Sequence, residues 1–441
     1  MFSIKETSIL LILLAFTLSG CQNNPNQTGN QVPSQPQVAN TNAASANTAA
    51  PAENTARNAG MPVTMPLIDA MFTDEAFAQE VKTNVQLSDE ELTKIRDAAR
   101  NGVLELSGET SDDDARSTRA STDRTRQEIE KIIGPERTNK FFDFIRTRWG
   151  GNGAEMATAQ PNSVPTDTRV VVNAPAYRMD IFRDGKLVKT YKVGIGYPEF
   201  PLPTGLRRAN EIIFNPTWTP PDEPWVKGKV QPGKKVEAGD KLNPLGPLKI
   251  PIGLPSLVHG GKQPGRLGTF ASHGCVGLTD AGVQDFAREL SSLAGSEISA
   301  EEIKNYEKQK SETKNVKLAQ PVPIELRYET IVVEDGKVYV YRDVYERGTN
   351  TEENLKRVLQ AHGVSLESLT EQERSALMAA LEKMAVDAHG EKVTETSNNT
   401  NSNKNTSGKV TRNIKGEKSV TVEIAALRGK GYPAPVNLVE K

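Results

Sequence analysis

The spacing of apolar residues changes at Arg169. Upstream, segments such as LSDEELTKIRDAARNGV, which begins at Leu87, carry an apolar residue every three or four positions, and this is typical of amphipathic helices. Downstream, RVVVNAPAYRMDIFRDGKLVKTYKVGIG alternates apolar and polar residues around the pair Asp184-Gly185, which predicts a β-hairpin. The chain is therefore expected to contain a helical region followed by a β-rich one.

The β-rich region extends to a second hairpin pattern, IELRYETIVVEDGKVYVYRDVY, with its turn at Asp335-Gly336. Its middle is dense in proline and glycine, which indicates irregular loops between short strands. A further helical pattern runs from Thr351 to Ala385. We therefore predict an α+β fold, with a mainly β domain flanked by small helical regions and flexible linkers.

An apolar run from Ser8 to Gly20 follows Lys5 and is shorter than the roughly 20 residues that a membrane-spanning helix needs. Such a run is typical of a secretory signal. Its end, Leu18-Ser19-Gly20-Cys21, resembles a bacterial lipobox, and the alternative is an ordinary export signal with a chance cysteine. Lipidation of Cys21 would give a periplasmic, lipid-anchored protein of the cell envelope. The residue after the cysteine is Gln22, not the aspartate that retains lipoproteins of enteric bacteria at the inner membrane. By this resemblance, the inner leaflet of the outer membrane is favoured.

Two tracts, residues 22–60 and 391–409, consist mostly of small and polar residues and cannot bury enough apolar surface to fold. A chain of 441 residues also exceeds what a single hydrophobic core usually supports. The predicted segments are a lipoprotein signal peptide (1–20), a flexible polar tether (21–64), a helical domain (65–150), the mainly β domain (168–346), a helical segment (351–390), a polar linker (391–409) and a C-terminal tail (410–441).

The charge balance narrows the classes of partner. There are 54 basic and 56 acidic side chains, so the net charge of −2 provides no positive field to attract nucleic acid. Two cysteines cannot form a disulfide framework, and four histidines leave little material for metal sites. We predict neither a cofactor nor a metal, and we expect the chemistry to rest on few residues.

The reactive residue types are concentrated in LVHGGKQPGRLGTFASHGCVGLTDAGVQDF, which begins at Leu257 and contains half of the histidines and the only cysteine after residue 21. Cys275 becomes a nucleophile when an imidazole takes its proton. A helix is expected to begin near Thr279, and a nearby helix N-terminus lowers the pKa of a thiol. Gly274 permits unusual backbone angles, so that consecutive amides from His273 to Cys275 could converge on a developing oxyanion.

Two histidines are candidates for the base. His273 lies two residues before Cys275 and shares a face with it on an extended segment, but a hydrogen bond between them is not easily made. His259 could arrive from a neighbouring strand, and we favour it. A zinc site built from these three residues is the alternative, although no helix with paired ligands accompanies them.

His259-Gly260 followed by Ser272-His273-Gly274-Cys275 resembles the signature of the L,D-transpeptidase catalytic domain, also called the YkuD domain. The resemblance extends from about Arg169 to Tyr345. Flanking segments are also similar to envelope members of that family: Pro203-Thr204-Gly205, NPTWTPP from Asn215, and Asn243-Pro244-Leu245-Gly246.

The resemblance implies a mainly β fold and an enzyme that acts on peptidoglycan tetrapeptide stems. It implies that Cys275 attacks the carbonyl of the third stem residue, expels D-alanine and forms a thioester that an amine resolves. It further implies that His259 takes the thiol proton and that the Gly260 carbonyl orients this histidine, with Ser272, His273 and Gly274 supporting the loop and the oxyanion. The acceptor can be a second stem, a protein amine or water.

The sequence departs from the family pattern at three positions. The family usually has an arginine two residues after the cysteine and a polar residue such as asparagine three further on, where this chain has Gly277 and Asp280. Gly261 stands where threonine is common. An arginine can clamp a substrate carboxylate and a glycine cannot, so Arg266, Lys262 and Lys249 are candidates for the missing charge. The alternative function is a non-catalytic peptidoglycan-binding envelope lipoprotein with a decayed catalytic domain.

Overall fold

The structure of the protein is a computed structural model whose described residues all lie in the unit from Ala52 onward. It describes residues 60–104, 118–150, 160–220, 226, 230–253, 256–388, 390, 392–393, 413–414 and 416–433. The predicted signal peptide, the lipobox cysteine Cys21 and nearly all of both polar tracts lie outside these residues. Within them, no helix is both long and apolar enough to cross a membrane.

Between residues 60 and 150, the described part of the chain forms four helices: α1 (Met65–Met71), α2 (Glu75–Val85), α3 (Asp89–Leu104) and α4 (Thr118–Gly150). Side chains of Thr64 and Asp74 cap α1 and α2 by accepting hydrogen bonds from backbone amides of the first turn. Helix α4 is interrupted at Gly134, because this residue has a non-helical φ of 75° and the next residue is Pro135. The four helices share a core that includes Phe77, Phe141 and Phe142.

The predicted tether ends earlier than residue 64. Met61, Val63 and Thr64 are buried, and the first two belong to the helical core. The physical reason is that Met61 and Val63 are the first large apolar side chains after the polar tract, and they gain free energy by leaving water. The chain therefore enters the folded region at or before Met61.

The central sheet has eight strands in the order β3-β2-β1-β10-β5-β6-β7-β9. Pairs β1–β10 and β7–β9 are parallel and the other neighbours are antiparallel. Strand β4 (Ile195–Gly196) pairs separately with β8 (Phe270–Ser272). The eight strands are β1 (Arg169–Asn173), β2 (Arg178–Arg183), β3 (Lys186–Lys192), β5 (Gly205–Phe214), β6 (Leu248–Pro251), β7 (Leu257–His259), β9 (Val276–Gly277) and β10 (Lys314–Arg327).

The hairpin predicted around Asp184-Gly185 is confirmed, since β2 and β3 pair in antiparallel register across it. Both turn residues have positive φ, 49° and 76°, as a type I′ turn requires. Helices α5 (Asp280–Leu293) and α6 (Ala300–Lys308) contribute to the core of this domain through Phe286, Leu290 and Ile303. The α+β class is therefore confirmed.

The C-terminal part differs from the predicted boundaries. The predicted mainly β domain of 168–346 includes strands β11 (Ile331–Glu334) and β12 (Lys337–Tyr341), but these form a separate three-stranded sheet with β13 (Ser419–Glu423). This sheet shares a core with α7 (Glu352–Ala361) and α8 (Glu371–Met384). A hairpin pattern shows that an apolar face must be covered, but not which element covers it.

Candidate active site

The parallel pairing of β7 with β9 places the predicted base beside the predicted nucleophile. Val258 is opposite Val276 and His259 is opposite Gly277. Side chains two positions apart on a strand point to the same face, so Cys275, one residue before β9, shares a face with His259 on the neighbouring strand. Both residues line the same cavity. The structure therefore brings together two residues that are 16 positions apart in the sequence.

A tight turn from Ser272 to Cys275 presents the sulfur. The Ser272 hydroxyl accepts a hydrogen bond from the Cys275 amide at 3.0 Å and donates one to the Cys275 carbonyl. Gly274 has a φ of 89°, which a side chain would strain. Its carbonyl accepts a hydrogen bond of 2.9 Å from the hydroxyl of Ser256, a buried residue that the sequence analysis did not single out.

This turn changes the predicted set of oxyanion donors. Three amides, those of His273, Gly274 and Cys275, were expected to converge. The Cys275 amide is instead occupied by the Ser272 hydroxyl. The Gly274 amide donates to no acceptor within the described part of the chain.

The ring of His259 is almost fully buried, with 4% of the residue exposed. Its Nδ1 lies 2.8 Å from the Gly260 carbonyl oxygen. Because a carbonyl can only accept, we assign the proton to Nδ1, which leaves Nε2 unprotonated. Burial first, and then the positive charges of Lys262 and Lys249, hold the pKa of His259 well below its ordinary value, so the ring is a neutral base at pH 7.

The pKa of the Cys275 thiol is raised, contrary to the expectation from the helix N-terminus. Burial is the largest cause; a backbone hydrogen bond from Leu257 and the charges of Lys262 and Lys249 lower it, but by less. Helix α5 begins only at Asp280, five residues after the sulfur, and the effect of a helix end fades within one turn. The resting site therefore contains a neutral thiol and a neutral imidazole in one cavity.

His273 is held by two aromatic rings. Its ring centroid lies 4.9 Å from that of Tyr197 and 4.7 Å from that of Phe200, both in edge-on geometry. The loop that carries these rings follows β4, whose Gly196 packs closely on Gly274. This packing favours a supporting role for His273, and nothing in the sequence near the motif indicates the aromatic pair.

Gly277, which stands where the family has an arginine, makes room for a lysine. A Cβ atom at Gly277 would lie 2.8 Å from Cγ and Cε of Lys262, so this side chain runs directly over the glycine. Lys262 and Lys249 both line the cavity with Cys275. The third candidate, Arg266, instead donates to the Phe270 carbonyl and is not among the lining residues.

Burial is also the largest cause of the lowered pKa values of the two lysines, that of Lys262 reaching about 8. Within the described residues, no ion pair joins Lys262 to a carboxylate, whereas the charge of Glu211 acts on Lys249. The cavity therefore contains positive charge near the Cys275 thiol. An anionic ligand would stabilise this buried positive charge.

The other two departures are coupled. The Gly261 amide donates to Oδ1 of Asp280 at 2.7 Å, which ties the segment after His259 to the start of α5. Gly261 has a φ of 80°, and a Cβ atom there would lie 2.4 Å from the Pro244 carbonyl oxygen. Threonine would not fit in this backbone conformation, so glycine is a structural requirement here rather than only the loss of a hydroxyl.

The cavity around these residues has a volume of about 710 Å³. It is lined by residues of the Ser272–Cys275 turn and the two lysines, and also by Asp69 and Ala70 of α1 and Arg100 of α3. The sequence analysis assigned no role to the helical region, because amphipathic spacing alone does not show which face meets another domain.

Within the described part of the chain, no group of three or more His, Cys, Asp and Glu side chains is arranged to hold a metal ion. The three residues considered for zinc have other contacts: His259 Nδ1 meets a carbonyl, His273 lies between aromatic rings, and the Cys275 thiol receives the Leu257 amide.

The candidate site is a thiol site, in which a cysteine and a histidine line one cavity of a mainly β domain. Residues 167–322 match the model of the YkuD family, described as the L,D-transpeptidase catalytic domain. The resemblance found in the motifs is therefore confirmed for residues 167–322. Comparison with curated proteins finds no match.

Several solved structures are similar to the same part of the chain. The NMR structure of the catalytic domain from E. faecium L,D-transpeptidase is 15% identical, with 37% of this chain and 100% of that chain covered and a TM-score of 0.24. An L,D-transpeptidase from Mycobacterium smegmatis is 17% identical, with 36% and 58% covered and a TM-score of 0.22. One from Mycobacterium tuberculosis H37Rv is 14% identical, with 36% and 57% covered and a TM-score of 0.21. The chain thus spans little more than half of the two mycobacterial proteins.

Proposed function

We propose that the protein is a cysteine L,D-transpeptidase that acts on peptidoglycan stem peptides. The observation that carries the proposal is that His259, at the end of β7, and Cys275, directly before the adjacent parallel strand β9, line one cavity of about 710 Å³. The family match of residues 167–322 supports the same reaction class. A decayed domain is not expected to retain a buried histidine base whose Nδ1 lies 2.8 Å from a carbonyl oxygen.

In the first step, the Cys275 sulfur attacks the carbonyl carbon of the third stem residue while Nε2 of His259 takes the thiol proton. The Gly260 carbonyl, which accepts from Nδ1, stabilises the imidazolium as it forms. The Gly274 amide, with that of His273, donates to the oxyanion. The C–N bond then breaks, and the imidazolium returns its proton to the leaving D-alanine amine.

In the second step, an amine attacks the thioester carbonyl. The C–S bond breaks, a new amide forms, and a proton from the attacking nitrogen returns to the sulfur through His259. A second stem as acceptor gives a wall cross-link, a protein amine gives attachment, and water gives hydrolysis. The two lysines are proposed to bind substrate carboxylate, with Lys262 in the space that Gly277 leaves open.

The proposed location is the cell envelope. Lipidation at Cys21 and a polar tether would hold the catalytic domain on the periplasmic side of a membrane, with the inner leaflet of the outer membrane favoured by Gln22. This location would give the site access to peptidoglycan. Metabolic labelling with a lipid precursor tests it, and a Cys21→Ala variant that still carries label would overturn it.

Two measurements test the proposed reaction. Incubation of the purified protein with a carbapenem, followed by intact-mass analysis, is expected to show one adduct in wild type and none in Cys275→Ala. Muropeptide analysis of cells that express either form at equal level is expected to show new linkages, tripeptides or protein-bound stems only with wild type. A wild-type protein that remains unmodified and leaves the muropeptides unchanged would instead favour the non-catalytic wall-binding lipoprotein.

A further inference from the structure

The helical region is built onto the catalytic domain rather than tethered beside it. The Thr64 hydroxyl, at the start of α1, donates to the Glu199 carbonyl at 3.0 Å. The Thr118 hydroxyl, at the start of α4, donates to the Pro198 carbonyl at 3.0 Å. Both carbonyls belong to the loop whose aromatic residues flank His273. The position of α1 is therefore fixed relative to the catalytic turn.

Helix α1 also lies close to α3. A Cβ atom at Gly102 would come within 2.7 Å of Cβ of Met65, so the glycine allows the two helices to approach. This approach brings Arg100 of α3 next to Asp69 of α1, with Nη1 and Oδ2 separated by 3.3 Å. The two side chains retain 29% and 16% exposure and both line the cavity. We call the cavity-lining residues of α1 and α3 the helical wall, with Asp69 and Arg100 as its charged members.

The charged side chains that line the cavity are one carboxylate paired with Arg100 and two lysines. Asp69 is the one carboxylate among the described lining residues, and the catalytic side presents Lys249 and Lys262. Burial raises the pKa of Asp69, and Arg100 only partly counteracts this. A partly buried carboxylate is stabilised when a second cation or a proton binds to it. The helical wall therefore suits a ligand group that is positive and can lose a proton.

We propose that the helical wall is the acceptor subsite of the transferase, where Asp69 binds the primary amino group that resolves the thioester. This inference rests on the proposed function. The amine arrives as ammonium and passes one proton to Asp69; the neutral nitrogen attacks the thioester carbonyl and the C–S bond breaks. A second proton reaches the sulfur through His259, and the third stays on the amide nitrogen. Peptide stems and protein lysines share this amine chemistry.

The test separates acylation from transfer. Purified enzyme is given disaccharide tetrapeptide as donor, and the first-turnover release of D-alanine measures acylation. Partition of the acyl-enzyme is then measured in two arms, with a second stem or with Nα-acetyl-lysine as the amine, against hydrolysis. Asp69→Asn is expected to keep acylation within twofold and to lower the ratio of transfer to hydrolysis by about tenfold or more. The arm with the larger loss identifies the acceptor.

Asp97→Asn is the matched control, because Asp97 is an exposed carboxylate on the same helix as Arg100 and does not line the cavity. It is expected to change neither quantity. The pH profile supplies a readout that a structural role would not move. In wild type, the transfer rate is expected to follow the ionisation of Asp69, which lies beside Arg100 in the cavity that Lys249 and Lys262 also line. In Asp69→Asn it should instead rise with the fraction of unprotonated amine.

The outcomes are distinguishable. Unchanged partition in Asp69→Asn, or an equal loss of acylation and transfer, would overturn the acceptor subsite while the transpeptidase assignment stands. Absence of D-alanine release from wild type would overturn the proposed function itself. If Asp69→Asn does not fold, Asp69→Ser removes the carboxylate with a smaller polar side chain, and an unchanged partition in that variant would equally contradict the inference.

Discussion

Replacement of Lys262 by methionine is expected to stabilise the protein and to slow acylation of Cys275. Methionine has a similar length and flexibility, so it can fill the space over Gly277 without a charge. The pKa of Lys262 is about 8, against an ordinary lysine value of 10.5. The difference corresponds to about 3 kcal/mol of destabilisation by the buried charge at pH 7. Because Lys262 retains some exposure, this value is an upper bound.

The pH dependence provides the sharper measurement. Between pH 8 and 10.5 the folded protein has lost the Lys262 proton while the unfolded chain still holds it. The unfolded state then binds more protons, so wild-type stability rises with pH across this window. The advantage of Lys262→Met should therefore be greatest at pH 7, roughly 5–10 °C in Tm, and should shrink by pH 10. Thermal unfolding of both proteins at the two pH values measures it.

Acylation by a carbapenem, followed by intact mass, supplies the functional half of the test. Loss of the positive charge next to the thiol should slow acylation, because that charge stabilises both a bound carboxylate and the thiolate that forms in the reaction. Lys241→Met is the control, since Lys241 is exposed and does not line the cavity. A stability difference that is absent at pH 7, or equal at pH 7 and pH 10, would refute this account of the buried lysine.

Three further predictions concern the base, the loop after it and the helical wall. His259→Asn should slow acylation by about 10² to 10⁴-fold, and the acid limb of the wild-type pH–rate profile should lie below the ordinary histidine pKa of 6.5; a limb above it would contradict a buried neutral ring. Gly261→Thr should cost about 2 kcal/mol or more in urea unfolding because of the positive φ and the close carbonyl, whereas Gly265→Ala, which meets nothing within 4 Å, should be near neutral. Gly102→Val should displace α1 and cost about 1–3 kcal/mol, with partition between transfer and hydrolysis changed more than acylation; an unaltered partition would contradict a rigid wall.

Local features of the fold could be predicted because they depend on residues close together in the chain. The Asp184-Gly185 turn follows from the ability of these two residues to adopt positive φ. The stretch from Leu257 also concentrates histidine and cysteine, so the sequence alone predicts His259 and Cys275 as candidate site residues. The second hairpin was identified, but its place beside β13 was not, since the strand that completes its sheet lies some 80 residues later.

Sequence alone determined the kinds of chemistry available: one thiol after residue 21, few imidazoles, and glycines at turns where other residues would be strained. Only the tertiary structure decided how they act. The pairing of β7 with β9 places His259 and Cys275 in one cavity, and the side chain of Lys262 passes over Gly277. Protonation states and the helical wall depend on burial and on contacts between distant segments, which are properties of the folded chain and are not encoded by any local spacing.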